Sequence, residues 1–83
     1  MSDGKPDMVA LMELLAKAIV DAPGEVTVEP FEEHGQTVLE LIVAEEDVGR
    51  IIGRHGRTAR SLRTILHSAS VRTRKRYQLE IVE

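Results

Sequence analysis

Cysteine and tryptophan are absent from this chain of 83 residues, and its only aromatic residues are Phe31 and Tyr77. Without thiols, the chain forms neither disulfides nor thiolate metal sites. Domains that stack nucleic-acid bases on their strands, such as RRM and OB modules, carry several aromatic residues there. The scarcity of aromatic residues therefore excludes a recognition module of that kind.

Long apolar segments are also missing, since no uninterrupted apolar run exceeds the five residues 8–12. A helix that spans a bilayer needs about 20 apolar residues, and the polar, acidic N-terminus is unlike a signal peptide. We therefore expect a cytoplasmic protein without a membrane segment. The length suits one small domain, and we expect residues 1–6 to be a flexible tail and residues 7–83 to form the domain.

Residue patterns typical of catalysis or metal binding are not recognisable either. The three histidines, His34, His55 and His67, are separated by 21 and 12 residues, a spacing that common metal sites do not use. No grouping of serine, histidine and an acid suggests a nucleophilic site. We therefore expect a protein that is not an enzyme and that uses no metal, cofactor or small-molecule substrate.

Acidic residues are concentrated in one half of the chain. Residues 1–47 contain 12 acidic and 2 basic residues, whereas residues 48–83 contain 9 basic and 2 acidic residues. The net charge of −3 thus conceals two oppositely charged segments, and no acidic residue lies between Val48 and Leu79. The basic segment indicates a polyanionic ligand. The acidic segment either repels phosphates from the wrong face or meets a basic protein partner, and the sequence leaves both open.

Hydrophobic periodicity predicts a helix and a hairpin in the acidic segment. Asp7 is a suitable N-cap for the helix, whose apolar residues recur at helical spacing until a proline and a glycine end it. Alternating residues predict a first strand over 25–32. Pro30 cannot donate a ladder hydrogen bond, so this strand should end near it or lie at a sheet edge. A turn and a second strand over residues 37–44 complete the hairpin.

The basic segment predicts two more helices and a last strand. The carboxylates of residues 45–47 suit the N-terminus of a second, short helix, in which Val48, Ile51 and Ile52 share one face. A third helix is predicted from residue 57 to about residue 69 or 71, and a basic connector leads from it into the final strand. The predicted order is α-β-β-α-α-β, an α+β fold without a repeat or an internal linker.

A glycine-bracketed turn separates the second and third helices. Gly53 and Gly56 enclose Arg54 and His55, which gives the motif Gly-x-x-Gly. Glycine lacks a Cβ, so the main chain can approach a bulky ligand while its N–H groups stay exposed. The start of the next helix adds free N–H groups and partial positive charge, which favour an anion. We interpret the motif as a contact for the sugar-phosphate backbone of RNA, with Arg54 and His55 as phosphate donors.

Residues on both sides of the motif extend the predicted site. Arginines at positions 50, 57, 60 and 63 flank the loop without the interleaved glutamates that a merely solvated helix would carry. One residue of the second helix, Ile51 or Ile52, is expected to reach the groove floor beneath a base, and the sequence does not say which. The basic connector over residues 72–76 is either the opposite lip of the groove, a solvated loop or a surface for a protein partner.

The order of elements, with Gly-x-x-Gly between the second and third helices, resembles the KH domain in its bacterial, type II arrangement. Residues 47–66, DVGRIIGRHGRTARSLRTIL, are similar to the small free-standing bacterial KH proteins of the KhpA family. The resemblance covers nearly the whole chain. One departure is Ala59, which stands where many KH domains have isoleucine and which affects the packing of the third helix's first turn.

The resemblance implies a three-stranded mixed sheet covered on one face by three helices, with a groove for about four nucleotides of single-stranded RNA. It also implies a homodimer or a heterodimer with a larger, KhpB-type RNA-binding protein. Family members are linked to post-transcriptional regulation, RNA chaperone activity and cell shape. A lone groove of this size binds weakly, so we expect useful affinity to come from dimerisation or a second RNA-binding chain.

Two other functions fit parts of the pattern. Helix-turn-helix DNA-binding proteins also join two helices at a glycine-containing turn, although a short second helix and a preceding hairpin weigh against that class. A protein-interaction module with a degenerate loop is the other alternative. The preferred prediction is RNA binding by the loop and its flanks: Arg50, Ile52, Gly53, Arg54, His55, Gly56, Arg57, Arg60 and Arg63.

Overall fold

The helices and strands follow one another in the order that the sequence predicts. The computed structural model describes residues 7–83, and the expected flexible tail over residues 1–6 lies outside these described residues. Three single turns of 3-10 helix accompany the main elements, at Pro23–Glu25, Glu45–Asp47 and Arg54–Gly56. The main elements are α1 Met8–Ile19, β1 Thr27–Glu33, β2 Gln36–Ile42, α2 Val48–Ile52, α3 Arg57–Thr73 and β3 Tyr77–Ile81.

Helix α1 begins with the predicted cap and buries one side. The Asp7 carboxylate accepts a hydrogen bond from the Ala10 N–H at 3.1 Å, which satisfies one free donor of the first turn. Met8, Met12 and Ala16 follow one another at intervals of four residues and are buried. Because such residues lie above one another on a helix, α1 presents a single apolar stripe to the sheet.

The sheet is mixed, with the strand order β1-β2-β3. β1 and β2 are antiparallel and are joined by His34 (φ 52°) and Gly35 (φ 79°), both with the positive φ of a type I′ hairpin turn. β3 runs parallel to β2, and the chain between them forms α2 and α3. β1 is an edge strand, which confirms the prediction from Pro30, here paired with Leu39.

One face of the sheet packs against all three helices. Its buried residues include Val28 in β1, Leu39 and Leu41 at alternate positions of β2, and Leu79 in β3. Val38 breaks the alternation, because it is buried on the opposite face. Ala59, at the position of the departure from the KH pattern, is buried as well. The helices complete this core with Met8, Met12, Ala16, Ile51, Leu62 and Leu66.

The opposite face of the sheet carries charge. The register places Glu29 opposite Glu40 and Glu40 opposite Glu80, so three carboxylates form a row across the strands. Directly opposed like charges destabilise a sheet. Phe31 stands opposite Val38 on this face and is 41% exposed. The helices therefore cover one face of the sheet, as the resemblance implies.

Helix α3 is longer than the sequence predicts, and the connector behind it is shorter. The helix continues to Thr73, and Arg74 ends it in the left-handed conformation, with φ 60°. Only residues 74–76 then lead to β3. The Ser70 hydroxyl accepts the N–H of Tyr77 at 3.2 Å and so ties the strand directly to the helix. Residues 72 and 73 thus belong to the helix and not to the connector.

Candidate nucleic-acid interface

Helix α2 leads the chain into the loop. With five residues it is too short to be stable alone, so its position depends on contacts at its two ends. Ile51 has no exposed surface and belongs to the core, whereas Ile52 is half-buried. Of the two candidates for the groove floor, only Ile52 keeps surface that a ligand can reach.

The loop after α2 is a tight turn held by its own main-chain hydrogen bonds. The Gly53 N–H donates to the Gly49 carbonyl at 2.8 Å, and the Gly56 N–H donates to the Gly53 carbonyl at 3.0 Å. Positive φ values of 79°, 57° and 73° occur at Gly53, His55 and Gly56. This backbone carries the side chains of Arg54 and His55 on the outside, where both are exposed.

The two glycines of the motif have different surroundings. A Cβ on Gly53 would collide with Thr58, whose Cβ and main-chain N would lie 2.7 Å and 2.8 Å away. A Cβ on Gly56 would meet nothing within 4 Å. Gly53 is thus required for packing the loop on the first turn of α3, independently of any ligand. The sequence predicts close approach of a phosphate at both glycines, and only Gly56 has open space on its Cβ side.

Basic side chains surround the loop and the start of α3. All six predicted basic side chains are exposed, and five of them lie on the loop or on α3. Within the part of the chain that the structure describes, these five form no salt bridge. These side chains are therefore available to a ligand: Arg54, His55, Arg57, Arg60 and Arg63.

Arg50, the sixth predicted cation, is paired. Its Nη2 lies 3.0 Å from Asp21 Oδ2, and its Nε lies 3.8 Å from Asp47 Oδ1. The expectation that the arginines around the loop lack acidic partners is wrong at this position, because the fold brings the end of α1 beside α2. The Arg50 side chain is 56% exposed, so the pair adds little stability. It does hold this guanidinium toward α1.

The start of α3 has no side chain to compensate its positive end. The N-cap is Gly56, which makes no side-chain capping hydrogen bond, and the first turn contains no acidic residue. Helices usually begin with Asp, Asn, Ser or Thr, whose oxygens accept from the free N–H groups. This helix of 17 residues instead directs its partial positive charge at the loop. A phosphate or another anion fits such an end.

A groove runs beside α3 along the outer strand β3. A cavity of about 430 Å³ is lined by Arg63, Leu66 and residues 77–81. Leu66 and Leu79 are almost fully buried, at 1% and 3% exposure, and belong to the core beneath the groove. Arg60 precedes Arg63 by three residues and therefore lies on the same side of the helix.

The groove continues toward the far end of α3. A second cavity of about 420 Å³ is lined by His67, Ser70, Val71, Tyr77, Gln36 and the connector residues 74–76. Tyr77 lines both cavities, so they adjoin. Of the interpretations that the sequence leaves open for the connector, its position at the end of the groove favours a contact with the ligand.

Asp47 is a residue whose role the sequence does not predict. It occupies the N-cap position of α2, as expected for a carboxylate, yet its side chain makes no capping hydrogen bond. Instead it is 1% exposed and accepts the N–H groups of Asp21 and Ala22. These partners lie more than twenty positions earlier in the chain, so no local signal could have identified them.

Other kinds of site find no support in the described residues. Within residues 7–83, no three histidine, aspartate or glutamate side chains come together as a metal site requires. In the same range, no helix is long and apolar enough to cross a bilayer. The glycine-bracketed loop and its groove are therefore the candidate site with the most support.

Comparison with known proteins relates this geometry to a family. A family model described as the KH domain of KhpA and KhpB matches residues 9–81. The chain is 49% identical over 73 residues to the RNA-binding protein KhpA of Treponema pallidum, a match that covers 88% of this chain and 91% of that protein. It is 44% identical over 75 residues to the protein of the same name from Borreliella burgdorferi, covering 90% and 92%.

A third relative extends the comparison to a different group of bacteria. The RNA-binding protein KhpA of Clostridium acetobutylicum is 43% identical over 75 residues, which cover 90% of this chain and all of that protein. The matches span the loop, both flanking helices and the sheet, so they concern the whole domain and not the motif alone. The predicted resemblance is confirmed, and the chain belongs to the KhpA/KhpB family of KH domains.

Proposed function

We propose that this chain binds short single-stranded RNA without catalysing a reaction, and that the Gly53–Gly56 loop clamps the sugar-phosphate backbone. The names of the relatives, which are RNA-binding proteins, support RNA as the ligand. One observation carries the clamp: the uncapped start of α3 adjoins exposed cations that have no carboxylate partner among the described residues. Without a bound anion, only water and counterions compensate this charge.

The loop supplies the phosphate with donors of two kinds. The helix dipole and the N–H groups of α3 that follow Arg57 attract the anion from one side, whereas the Arg57 N–H donates to the Arg54 carbonyl. Arg54 and His55 project from the turn and close around it, while the bare surface of Gly56 allows the sugar to approach. Because these contacts involve the backbone of the RNA, they fix its position and carry no base preference.

The groove beside β3 receives the bases. Leu66 and Leu79 lie buried beneath it, and the half-buried Ile52, which directly precedes the loop, offers a base an aliphatic contact. Arg60 and Arg63 follow the same side of α3 and meet the next phosphates. A KH groove of this type holds about four nucleotides.

The opposite surface directs RNA to the groove. The row of Glu29, Glu40 and Glu80 gives the uncovered sheet face a negative potential, and Glu80 also lines the edge of the groove. Phosphates are repelled from that face and attracted to the loop, which orients the approaching strand. Between the two roles left open for the acidic segment, we therefore prefer repulsion of phosphates to contact with a basic protein partner.

Assembly raises the affinity of a site this small. Two grooves that act on one RNA strand convert the second contact into an intramolecular step with a high effective concentration. A homodimer, or a heterodimer with a KhpB-type RNA-binding protein, provides the second site. The matching family model, which covers both KhpA and KhpB, supports this pairing. We assign the chain a cytoplasmic role as a post-transcriptional regulator or RNA chaperone.

Charge reversal at the loop tests the clamp. The double substitution Arg54→Asp and His55→Asp places two carboxylates where the phosphate is proposed to lie. Binding of a labelled single-stranded oligoribonucleotide, followed by fluorescence anisotropy, should weaken at least about tenfold. Aspartate tolerates the left-handed conformation of position 55, so the melting temperature should change by no more than a few degrees.

A matched variant and a competitor separate the alternatives. Arg72→Asp makes the same change of charge as Arg54→Asp. Arg72 lies about 22 Å from Arg57 along α3, on the side of the helix opposite Arg63. The RNA affinity of this variant should therefore stay near that of the wild type. Wild-type affinity in the double variant would instead indicate a protein-interaction module. Efficient competition by duplex DNA would indicate a helix-turn-helix mode of binding.

A further inference from the structure

We propose that Asp47 is a positioning residue for the RNA-clamping loop, because it fastens the start of α2 to the turn that follows α1. The inference rests on the proposed RNA-binding function and deepens it. It names a side chain that acts on the loop without touching RNA.

Asp47 is held on both of its carboxylate oxygens. Its Oδ1 accepts the Asp21 N–H at 3.1 Å, and its Oδ2 accepts the Ala22 N–H at 3.0 Å. The side chain is 1% exposed, and it is the one buried charged side chain among residues 7–83. The N–H groups of two neighbouring residues thus each donate to a different oxygen of the Asp47 carboxylate. Asparagine could not reproduce this pair of hydrogen bonds, because its side-chain amide has only one acceptor oxygen.

These hydrogen bonds serve a tertiary contact. Asp47 stands at the N-cap of α2 but does not bond to that helix through its side chain. Its partners lie 26 and 25 residues earlier, at the end of α1. Arg50 adds a looser contact, with its Nε 3.8 Å from Asp47 Oδ1. The start of α2 is therefore fixed relative to a different part of the fold.

The loop depends on this attachment because α2 is short. Helix α2 has five residues and follows Asp47 directly, and Gly53 comes immediately after it. Ile51 anchors the middle of this segment in the core, and Gly53 rests on Thr58. Without the carboxylate, α2 is free to turn about Ile51, and such a turn moves the first residue of the loop.

Asp47→Asn tests the inference with the smallest change in shape. The NH₂ group of the asparagine side chain would face one of the two main-chain N–H donors. The paired hydrogen bonds that attach α2 are therefore lost, while the volume of the side chain is unchanged. We expect RNA affinity to fall about fivefold or more, measured at 10 °C with the variant folded. The amide signals of Gly53, Gly56 and Arg57 in ¹H–¹⁵N spectra should shift, which reports on the loop in the absence of RNA.

A core variant controls for a general loss of stability. Val28→Ala removes buried methyl groups from β1 and destabilises the domain without altering the carboxylate. At the same temperature it should bind RNA as the wild type does and leave the three loop signals in place. The inference is overturned if both variants lose RNA affinity equally, or if Asp47→Asn binds like the wild type.

Two further measurements cover a variant that does not fold and a wild type that does not bind RNA. If Asp47→Asn does not fold at 10 °C, Asp47→Ser is measured in its place, with the same expected results. Serine removes one of the two carboxylate oxygens without introducing the NH₂ group of asparagine. If the wild type itself fails to bind RNA, the proposed function is wrong. The loop signals then decide the positioning role alone, and unchanged signals in the folded variant would reject it.

Discussion

The acidic and basic segments of this chain use their charged side chains in opposite ways. Up to Asp47, several carboxylates serve the protein itself: Asp7 caps α1, Glu32 accepts the Thr37 hydroxyl at 2.7 Å, and Glu13 pairs with Lys17 at 3.4 Å. From Arg54 to Arg63, the basic side chains have no such partner within residues 7–83. These basic side chains form the surface that we propose for the ligand.

Gly53 and Gly56 differ in a similar way, because one serves the fold and the other faces the proposed ligand. Gly53 is required by its neighbour Thr58, whereas Gly56 is open to solvent. A four-residue motif thus combines a structural position with a position proposed for binding. Substitutions that separate these roles test the comparison most directly.

Gly53→Ala should have the largest effect. The new Cβ meets Thr58 at short distance, and alanine is strained at φ 79°, so the free energy of unfolding should fall by about 2–4 kcal/mol. Thermal unfolding should show a decrease of at least about 10 °C. Gly56→Ala adds only the strain of a positive φ, so the free energy of unfolding should fall by about 1–2 kcal/mol. Equal losses in the two variants would show that the glycines do not differ.

Salt should weaken RNA binding strongly, because the basic segment neutralises phosphates. With about four phosphates bound and a slope of about −0.7 for each, raising the salt from about 50 to 200 mM should lower affinity about 50-fold. A titration by fluorescence anisotropy over this range measures the slope. A flat response would contradict a clamp on the RNA backbone.

The two sides of α3 should differ less strongly. Arg63 lines the groove, and Arg63→Gln should weaken RNA binding about threefold to fivefold through the loss of one phosphate contact. Arg72 lies on the opposite side of the same helix, and Arg72→Gln carries an identical loss of charge. Its affinity should remain within experimental error of the wild type. Similar losses in both variants would mean that net charge, and not the groove, governs binding.

The smallest effect is expected in the acidic segment. Glu40 stands between Glu29 and Glu80, so Glu40→Gln removes two repulsive pairs and should raise the free energy of unfolding by a few tenths of a kcal/mol. Glu33→Gln, outside the row, is the matched control. Thermal unfolding at low salt should resolve the gain, and added salt should abolish it. A loss of stability in Glu40→Gln would show that the row is not repulsive.

Local patterns were sufficient to predict much of this fold. The apolar stripe of α1, the cap at Asp7 and the edge position of the strand containing Pro30 each depend on residues within a few positions of one another. The element order followed from these signals. The loop was located because two glycines beside apolar and basic residues form a contiguous pattern.

Features that depend on distant residues were not predicted. The pairing of Arg50 with Asp21 and the burial of Asp47 both join α2 to the end of α1. The end of α3 was placed too early because the polar and charged residues near 72 resemble a loop, although Ser70 fixes the following strand from within the helix. Spacing along the chain carries no information on such contacts.

The position of β3 limits how this protein can join a larger sheet. β3 is one outer strand, and a further strand added beside it would occupy the space proposed for RNA. At the other outer strand, Pro30 offers no N–H and lies beside Glu29, features that discourage pairing between chains. If RNA binds in this groove as we propose, strand addition there and RNA binding exclude each other, and a partner that shares the RNA would attach elsewhere.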